Sequence, residues 1–532
     1  MKKILTSMMA CACLVGFSSC DGFLDEEPKG TLTTNSYYLN EAHAQQNVNY
    51  LYRIGAPARL TSTGAYQGSI AQIQGALTGY FINSYEGQEL TYKYGREMTR
   101  QQNTQTVGVA LGGEWDAAYK AINIANTAIA NIPNINMDAA KITSLLAEAK
   151  FFRAWNYFFL VKLFGDVPFY TEPSSVDNLY LERTPKATVY AQIEADLKEA
   201  VANLPAKTFG ENGHRVTKYA AAMVLADVYF YQGKHGDAAS AIKTVLSSEH
   251  ALAAHNAEIT AANYEETKLE SAWNQLRTTD DLAECIYAYE YDSSISYASR
   301  WSPMAFDASI LAFTGAKYQI AERIYGPIPS YLNVYEEGDM RAMPNQFYHW
   351  TFTNPNDPTQ VWERAEKDGP GAWYFYTYED MFVNGFSAKD VNIYRYAEAL
   401  LLAAEAIAQS GTVAEAAPYL AEVKARANME GKTAAEIAAT LPTDKQAFVE
   451  ECWKERLREL PFDFKIWDDC VRTQKFPVIS ETVKGDVKFV DLVGAKNASG
   501  YSIKKEDMLW PISPDELQRN PNLTQNDGYT KQ

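Results

Sequence analysis

After its first twenty residues this chain of 532 residues lacks any long apolar run. No later stretch approaches the roughly 18 consecutive apolar residues that a membrane-crossing helix needs, so none is predicted. Histidine is scarce: the six, at 43, 214, 235, 250, 255 and 349, show no metal-ligand spacing. No G-x-S-x-G elbow, P-loop, G-x-G-x-x-G, H-E-x-x-H or C-x-x-C pattern occurs, and no EF-hand loop. Cysteine is equally short. Of six, Cys11 and Cys13 lie in the N-terminal apolar segment and Cys20 directly follows it, which leaves Cys285, Cys452 and Cys470. Three are too few for a disulfide framework and read as buried structural thiols. Positive charge is also in deficit. Lys and Arg number 48 against 66 Asp and Glu, for a formal charge of −18, which becomes −20 without Lys2 and Lys3. A field of that sign argues against nucleic acid and anionic membrane surfaces as partners, and leans toward neutral ligands.

What is present begins with an export signal. Lys2 and Lys3 form a positive start, Ile4 to Phe17 a short apolar segment, and Ser18-Ser19 lead into Cys20. That segment is too short to span a bilayer and reads as a signal peptide over 1–19. The cysteine at the cleavage point resembles a bacterial lipoprotein box, with Phe17 and Ser19 departing from its strictest Leu-Ala-Gly form. The resemblance makes Cys20 the acylated mature N-terminus, followed by a tether over 20–35. One acyl chain binds a membrane marginally and several anchor it stably.

The remaining 36–532 is read as one mainly α-helical domain. Trp115, Tyr119, Ile122 and Ile129 recur at helical spacing before Pro133. A second helix runs through Leu145, Phe152, Phe159 and Leu163 to Gly165-Asp166-Val167-Pro168. Further helices are expected over about 186–204, 217–232, 235–248, 391–409, 413–428 and 444–460. In 217–248, Leu225, Ala226, Tyr229, Ala238 and Ile242 sit at the offsets of a tetratricopeptide unit, and Ala404, Ile407, Ala416 and Leu420 repeat them less closely. Small residues let paired helices approach and large ones fill the groove between neighbours, which predicts a helical-repeat scaffold of about four pairs. Two regions break the pattern, about 60–110 and 250–385. From 285 to 380 the chain has four Trp, twelve Tyr and five Phe, 21 of 96 residues or about 22%, against 13% overall. Long irregular segments in a compact domain are usually functional.

These landmarks together resemble the SusD/RagB family of surface glycan-binding lipoproteins, over essentially the whole chain. The residues that carry the resemblance begin with Cys20-Asp21-Gly22-Phe23-Leu24 and Trp115-x3-Tyr119-x2-Ile122-x3-Asn126. Phe151-Phe152-Arg153-Ala154 through Pro168 follows, then Tyr394 through Ala406. Glu455-Arg456, Glu459-Leu460 and Asp469 come next, then Trp510-Pro511-Ile512 and Asn520-Pro521-Asn522-Leu523. Ile466 stands where an arginine is often found, and Asp463-Phe464 where Glu-Gly is common; both concern the scaffold. The resemblance implies a noncatalytic subunit held at the outer membrane that captures oligosaccharide or polysaccharide and passes it to a SusC-like TonB-dependent transporter. It implies no cofactor and no catalytic metal.

A pyranose offers an apolar C–H face that stacks on Trp or Tyr, and a hydroxyl rim that polar side chains bind. On that chemistry the candidate ligand residues are Trp301 with Tyr297 and Arg300 beside it, then Trp350, Trp362 and Trp373, and Tyr85 with Asn83 in the earlier loop. Tyr287, Tyr289 and Tyr291 alternate as one strand face and read as structural. Trp115, Trp155, Trp453 and Trp467 lie on helical faces and read as core. Two other functions stay open on the residues alone: a helical scaffold for peptide or protein ligands, and a glycoside hydrolase on an α-helical frame. The latter needs two carboxylates facing one bond, whereas Asp166 and Glu455 fit helix-end and scaffold ion-pair roles.

Overall fold

The computed structural model describes residues 38–55, 70–84, 96–98, 112–292, 294, 299, 301–306, 310, 312–317 and 323–529. Its frame is a succession of packed helices: α1 Glu41–Ile54, α2 Ile70–Thr78, α3 Gly113–Asn131, α4 Ala139–Phe164, α5 Lys186–Asn203, α6 Lys218–Tyr231, α7 His235–Leu246, α8 Tyr396–Ser410, α9 Val413–Ala427, α10 Lys445–Glu459 and α11 Ile466–Thr473. Short polar side chains start several of them. Asp138, Thr217, Thr412 and Asp444 each accept a hydrogen bond from a main-chain N–H three residues on, satisfying a donor that the first turn leaves open. From α3 to α8 each of these helices packs on the next, and α8 then packs on both α9 and α10. The expected repeat positions meet where the pattern puts them. Ala226, Ala238, Ala404, Ala416 and Ile242 are fully buried, so the paired backbones come close and the larger side chains interlock. The scaffold is tetratricopeptide-like, as its sequence predicts.

Two elements differ from expectation. Residues 391–395 form a strand rather than the start of α8. Five short strands used below are β1 Cys285–Tyr289, β2 Thr351–Thr353, β3 Val361–Glu363, β4 Val391–Arg395 and β5 Lys475–Ile479. β4 pairs antiparallel with β1, and a long-range partner overrides a local helical period that continues smoothly into Tyr396. Residues 70–78, inside a region expected to be irregular, form a helix buried on every side. A helix without a polar face has no amphipathic signal to read.

The sequence blocks behind the family resemblance are joints of this frame. Arg153, buried on α4, donates from Nε and Nη2 to both carboxylate oxygens of Asp196 on α5, at 2.7 Å each, and from Nη1 to Asn126 Oδ1 on α3 at 3.0 Å. One guanidinium thus ties three helices. Gly165 ends α4 at φ +74°, a backbone conformation that favours glycine, and a Cβ there would stand 2.9 Å from Leu509 Cδ1, a side-chain tip that would have to shift. That segment closes the same corner: the Trp510 N–H donates to Leu163 O, and Asn526 Nδ2 donates to Phe164 O and Trp510 O. Asp166 caps α5 through the Lys186 N–H. Glu398 pairs with Arg456 and Lys465, and Glu405 with Arg472.

The segment after α7 docks through a buried charge network. Arg341 reaches Glu455 at 2.7 Å and Glu459 at 3.0 Å, and Arg395 reaches Glu284 at 2.6 Å, Asp463 at 2.8 Å and Glu459 at 3.1 Å. Burial alone would raise the Glu455 carboxyl, but Arg341, with Lys424 and Arg458, outweighs it and brings it down to about 2. Outside the main core the insertion has a small one of its own, built from Phe306, Ile310, Phe352, Trp373, Tyr376, Met381 and Phe382. Cys285, Cys452 and Cys470 are buried free thiols, as expected. No helix among the described residues is long and apolar enough to cross a membrane.

Candidate functional site

Burial separates the predicted ligand residues. Trp301 is 2% exposed. Its indole lies between Phe375 (5.1 Å between centroids, 23°) and Phe464 (4.7 Å, 29°), with Tyr325 edge-on. Both ring faces are covered, which corrects the expectation of an outward platform. Trp373 is 8% exposed; its Nε1 donates to Asn274 Oδ1 at 3.0 Å, Tyr376 stacks on it at 4.8 Å, and the Arg277 guanidinium lies 4.9 Å from its centroid. That ring is likewise engaged in packing. Asn83 is buried at 9% exposure. Trp350 and Trp362 are half-buried; Trp362 stands on β3 opposite Phe352 on β2, with the Arg364 guanidinium 5.6 Å from its ring. Tyr85, Tyr297, Arg300 and Cys20 lie outside the described residues.

An open cleft of about 540 Å³ lies where β1 leaves the scaffold, among α1, the turn at 209–214 and residues 287–292. That volume is within the range of ligand pockets. Register explains its wall. β1 carries irregularities on both sides of Tyr287, which turns inward against Phe151, Trp155 and Phe209. Tyr289, two residues on, is half-buried at the rim, edge-to-face with Tyr291 at 5.1 Å. Tyr287 is therefore structural as read, whereas Tyr289 lines the cleft and sequence reasoning passed it over. Across from it, Tyr52 on α1 is fixed at its hydroxyl, which donates to Glu148 at 2.5 Å and accepts from the Val216 N–H at 3.1 Å; the Arg215 guanidinium lies 4.6 Å from its ring centroid.

The polar side of the cleft is acidic. His214, at φ +59°, has Nε2 2.9 Å from Asp281 Oδ2, and its Nδ1 contacts Glu290. Burial disfavours the imidazolium, but the Asp281 hydrogen bond and the Glu290 charge outweigh it and hold His214 above its usual value. Burial also raises Glu290, with His214 opposing, and it raises nearby Asp390 to about 7 with the help of Asp280. Asn49, Arg53 and Asp292 complete the rim. Rings beside carboxylates, an amide and a guanidinium suit a neutral hydroxyl-rich ligand, whereas an anionic one would meet Glu290 and Asp292. The signal for Tyr52 and His214 was not local, since they lie far from β1 in sequence. Among the described residues no group of three or more His, Cys, Asp or Glu could hold a metal ion.

Comparison with known proteins agrees with this architecture. Residues 22–230 match a family model described as "Starch-binding associating with outer membrane", and residues 304–529 match the SusD family model. The SusD-like protein P2 of Formosa agariphila is 28% identical, across 99% of this chain and 100% of its own length. A SusD superfamily protein from Parabacteroides distasonis superposes with a TM-score of 0.76 at 22% identity, covering 94% of this chain and 100% of that one. Surface glycan-binding protein A from Bacteroides thetaiotaomicron, solved in complex with laminarihexaose, has a TM-score of 0.68 at 16% identity and covers 92% of this chain and 99% of its own. With both models falling in one family and together taking in well over half of the sequence, the chain belongs to the SusD family, one of whose matching models is described as starch-binding and associating with the outer membrane.

Proposed function

We propose that this protein is a surface capture subunit, anchored by lipid at Cys20, that binds a neutral oligosaccharide or polysaccharide and delivers it to a SusC-like TonB-dependent transporter. The observation that carries the ligand class is the acidic cleft of about 540 Å³, in which Tyr52 and Tyr289 stand beside Glu290, Asp292, Arg53 and Asn49. Trp350 and Trp362, half-buried on the insertion, together with Tyr85, Tyr297 and Arg300, are proposed to extend the contact surface. Starch-type and laminarin-type glucans are the first ligands to test, because the family description names starch and a structural neighbour is a laminarin-binding SusD-like protein. The chain energises no transport in this reading; the transporter does.

The test is a glycan array read with the chain beginning after Cys20, followed by calorimetry with each oligosaccharide that binds. Tyr289→Ala is expected to weaken binding at least tenfold while the melting temperature stays within a few degrees. Absence of any glycan binding by the native chain would end this reading. Co-purification from the outer membrane with a TonB-dependent barrel tests delivery separately.

A further inference from the structure

A second open cleft, of about 450 Å³, lies elsewhere on the scaffold and shares no residue with the first. It is bounded by the first turns of α3, the loop from Pro168 to Tyr180, and the short C-terminal helix Pro514–Arg519. Its aromatic side is a shelf. Tyr119 and Tyr170 lie nearly parallel, 14° apart with centroids at 6.2 Å, both half-buried. Tyr180, 56% exposed, stands at the rim. The shelf is held from behind, since the Tyr119 hydroxyl donates to Pro168 O at 2.7 Å and the Tyr157 hydroxyl donates to Tyr170 O at 2.6 Å.

The polar side is an interlocked trio. Arg519 Nη1 donates to Asp116 Oδ1 at 3.0 Å and to Glu516 Oε1 at 2.6 Å, and the two carboxyls hydrogen-bond each other. Burial, then the Asp116 charge, push Glu516 up to about 7 against the pull of Arg519. As pH falls below about 7 Glu516 takes up a proton, so beside the Arg519 guanidinium the trio offers both donors and acceptors and its excess negative charge shrinks. An ionic ligand gains little from such a group; a hydroxyl-rich neutral one can be bonded from both sides.

We propose that this cleft is a separate subsite for a neutral saccharide, its ring set on the Tyr119–Tyr170–Tyr180 shelf and its hydroxyls bonded by Asp116, Glu516 and Arg519. The inference rests on the glycan-binding reading above. A chain with two such clefts holds a polysaccharide at two points, or two oligosaccharides at once, and avidity through one polymer exceeds that of either site.

The experiment uses the array above, carrying starch-type and laminarin oligosaccharides, with calorimetry on those bound. Four proteins are compared: native, Tyr180→Ala with Asp116→Asn, Tyr289→Ala, and all three changes together. Both second-cleft positions are exposed, so folding should be retained, which thermal melts verify. The native chain is expected to titrate two sites or two distinct array patterns. The second-cleft double variant should lose one of them by at least tenfold and keep the other, with Tyr289→Ala doing the converse. Native binding that the double variant leaves unchanged overturns this inference alone and leaves the first cleft standing. If the double variant instead loses a co-purifying protein with glycan binding intact, the cleft is a docking face and the proposal is equally overturned. No binding by the native chain defeats the glycan reading itself.

Discussion

Between Phe375 and Phe464 the Trp301 indole fills a site that its neighbours cannot refill. Trp301→Ala is therefore expected to cost about 3–5 kcal/mol of stability, the usual range for emptying a buried tryptophan site. Urea denaturation measures it, and a loss below about 1 kcal/mol would show that the ring is not a packing element. Glycan affinity of the folded fraction should change little, because no face of the ring is open. At the cleft, Tyr289 is the opposite case: it is only half-buried at the rim, and its removal should be felt in binding more than in stability. Residue type alone does not separate these two aromatics. Only the neighbours that each ring meets do so.

Helices α3, α4 and α5 meet at one ion pair, so the pair's energetics belong to the element scale. Arg153 and Asp196 are both almost fully buried. Arg153→Ala would leave Asp196 buried without its partner, at an expected cost of about 3–5 kcal/mol. Replacing both, as Arg153→Met with Asp196→Leu, should recover most of that loss, because a buried ion pair is often no more stable than apolar side chains of similar volume. A double variant as unstable as the single one, by chemical denaturation, would mean that the bond to Asn126 rather than the ion pair holds the joint. The helices themselves were legible because small and large apolar residues recur at helical spacing. The strand at 391–395 was not, since its partner at 285–289 is over a hundred residues away and no local pattern announces it.

For the whole molecule, buried carboxylates set the dependence on pH. Glu455 titrates at about 2 when folded, against about 4.3 for an ordinary glutamate, and Glu284 and Asp469 are lowered in the same way. A depressed carboxyl gives stability that is present above the unfolded value and lost as pH falls through the folded one. Asp390 and Glu516, raised to about 7, bind protons more readily folded than unfolded. The urea midpoint should therefore rise somewhat from about pH 8 to about 5 and then decline between about 4.5 and 2 as the lowered carboxyls protonate; a midpoint unchanged down to pH 2.5 would contradict the network. His214 acts in the other direction. Its raised value gives stability present below about 6.5 and lost as pH climbs through the folded value. His214→Gln should remove that alkaline component and leave the acid limb as it was.

By itself the sequence determined what is periodic and what is local: the helical frame and its small-residue contacts, the acidic balance, and the family blocks that join α4 to the C-terminal segment. It also located the aromatic-rich insertion, because composition needs no partner to be read. The tertiary structure alone decided which aromatics face inward. A ring's exposure depends on chain segments far from it in sequence, such as Phe464 on Trp301, or Asp281 and Glu290 on His214. The same holds for both clefts, each assembled from separated segments whose residues share no spacing along the chain.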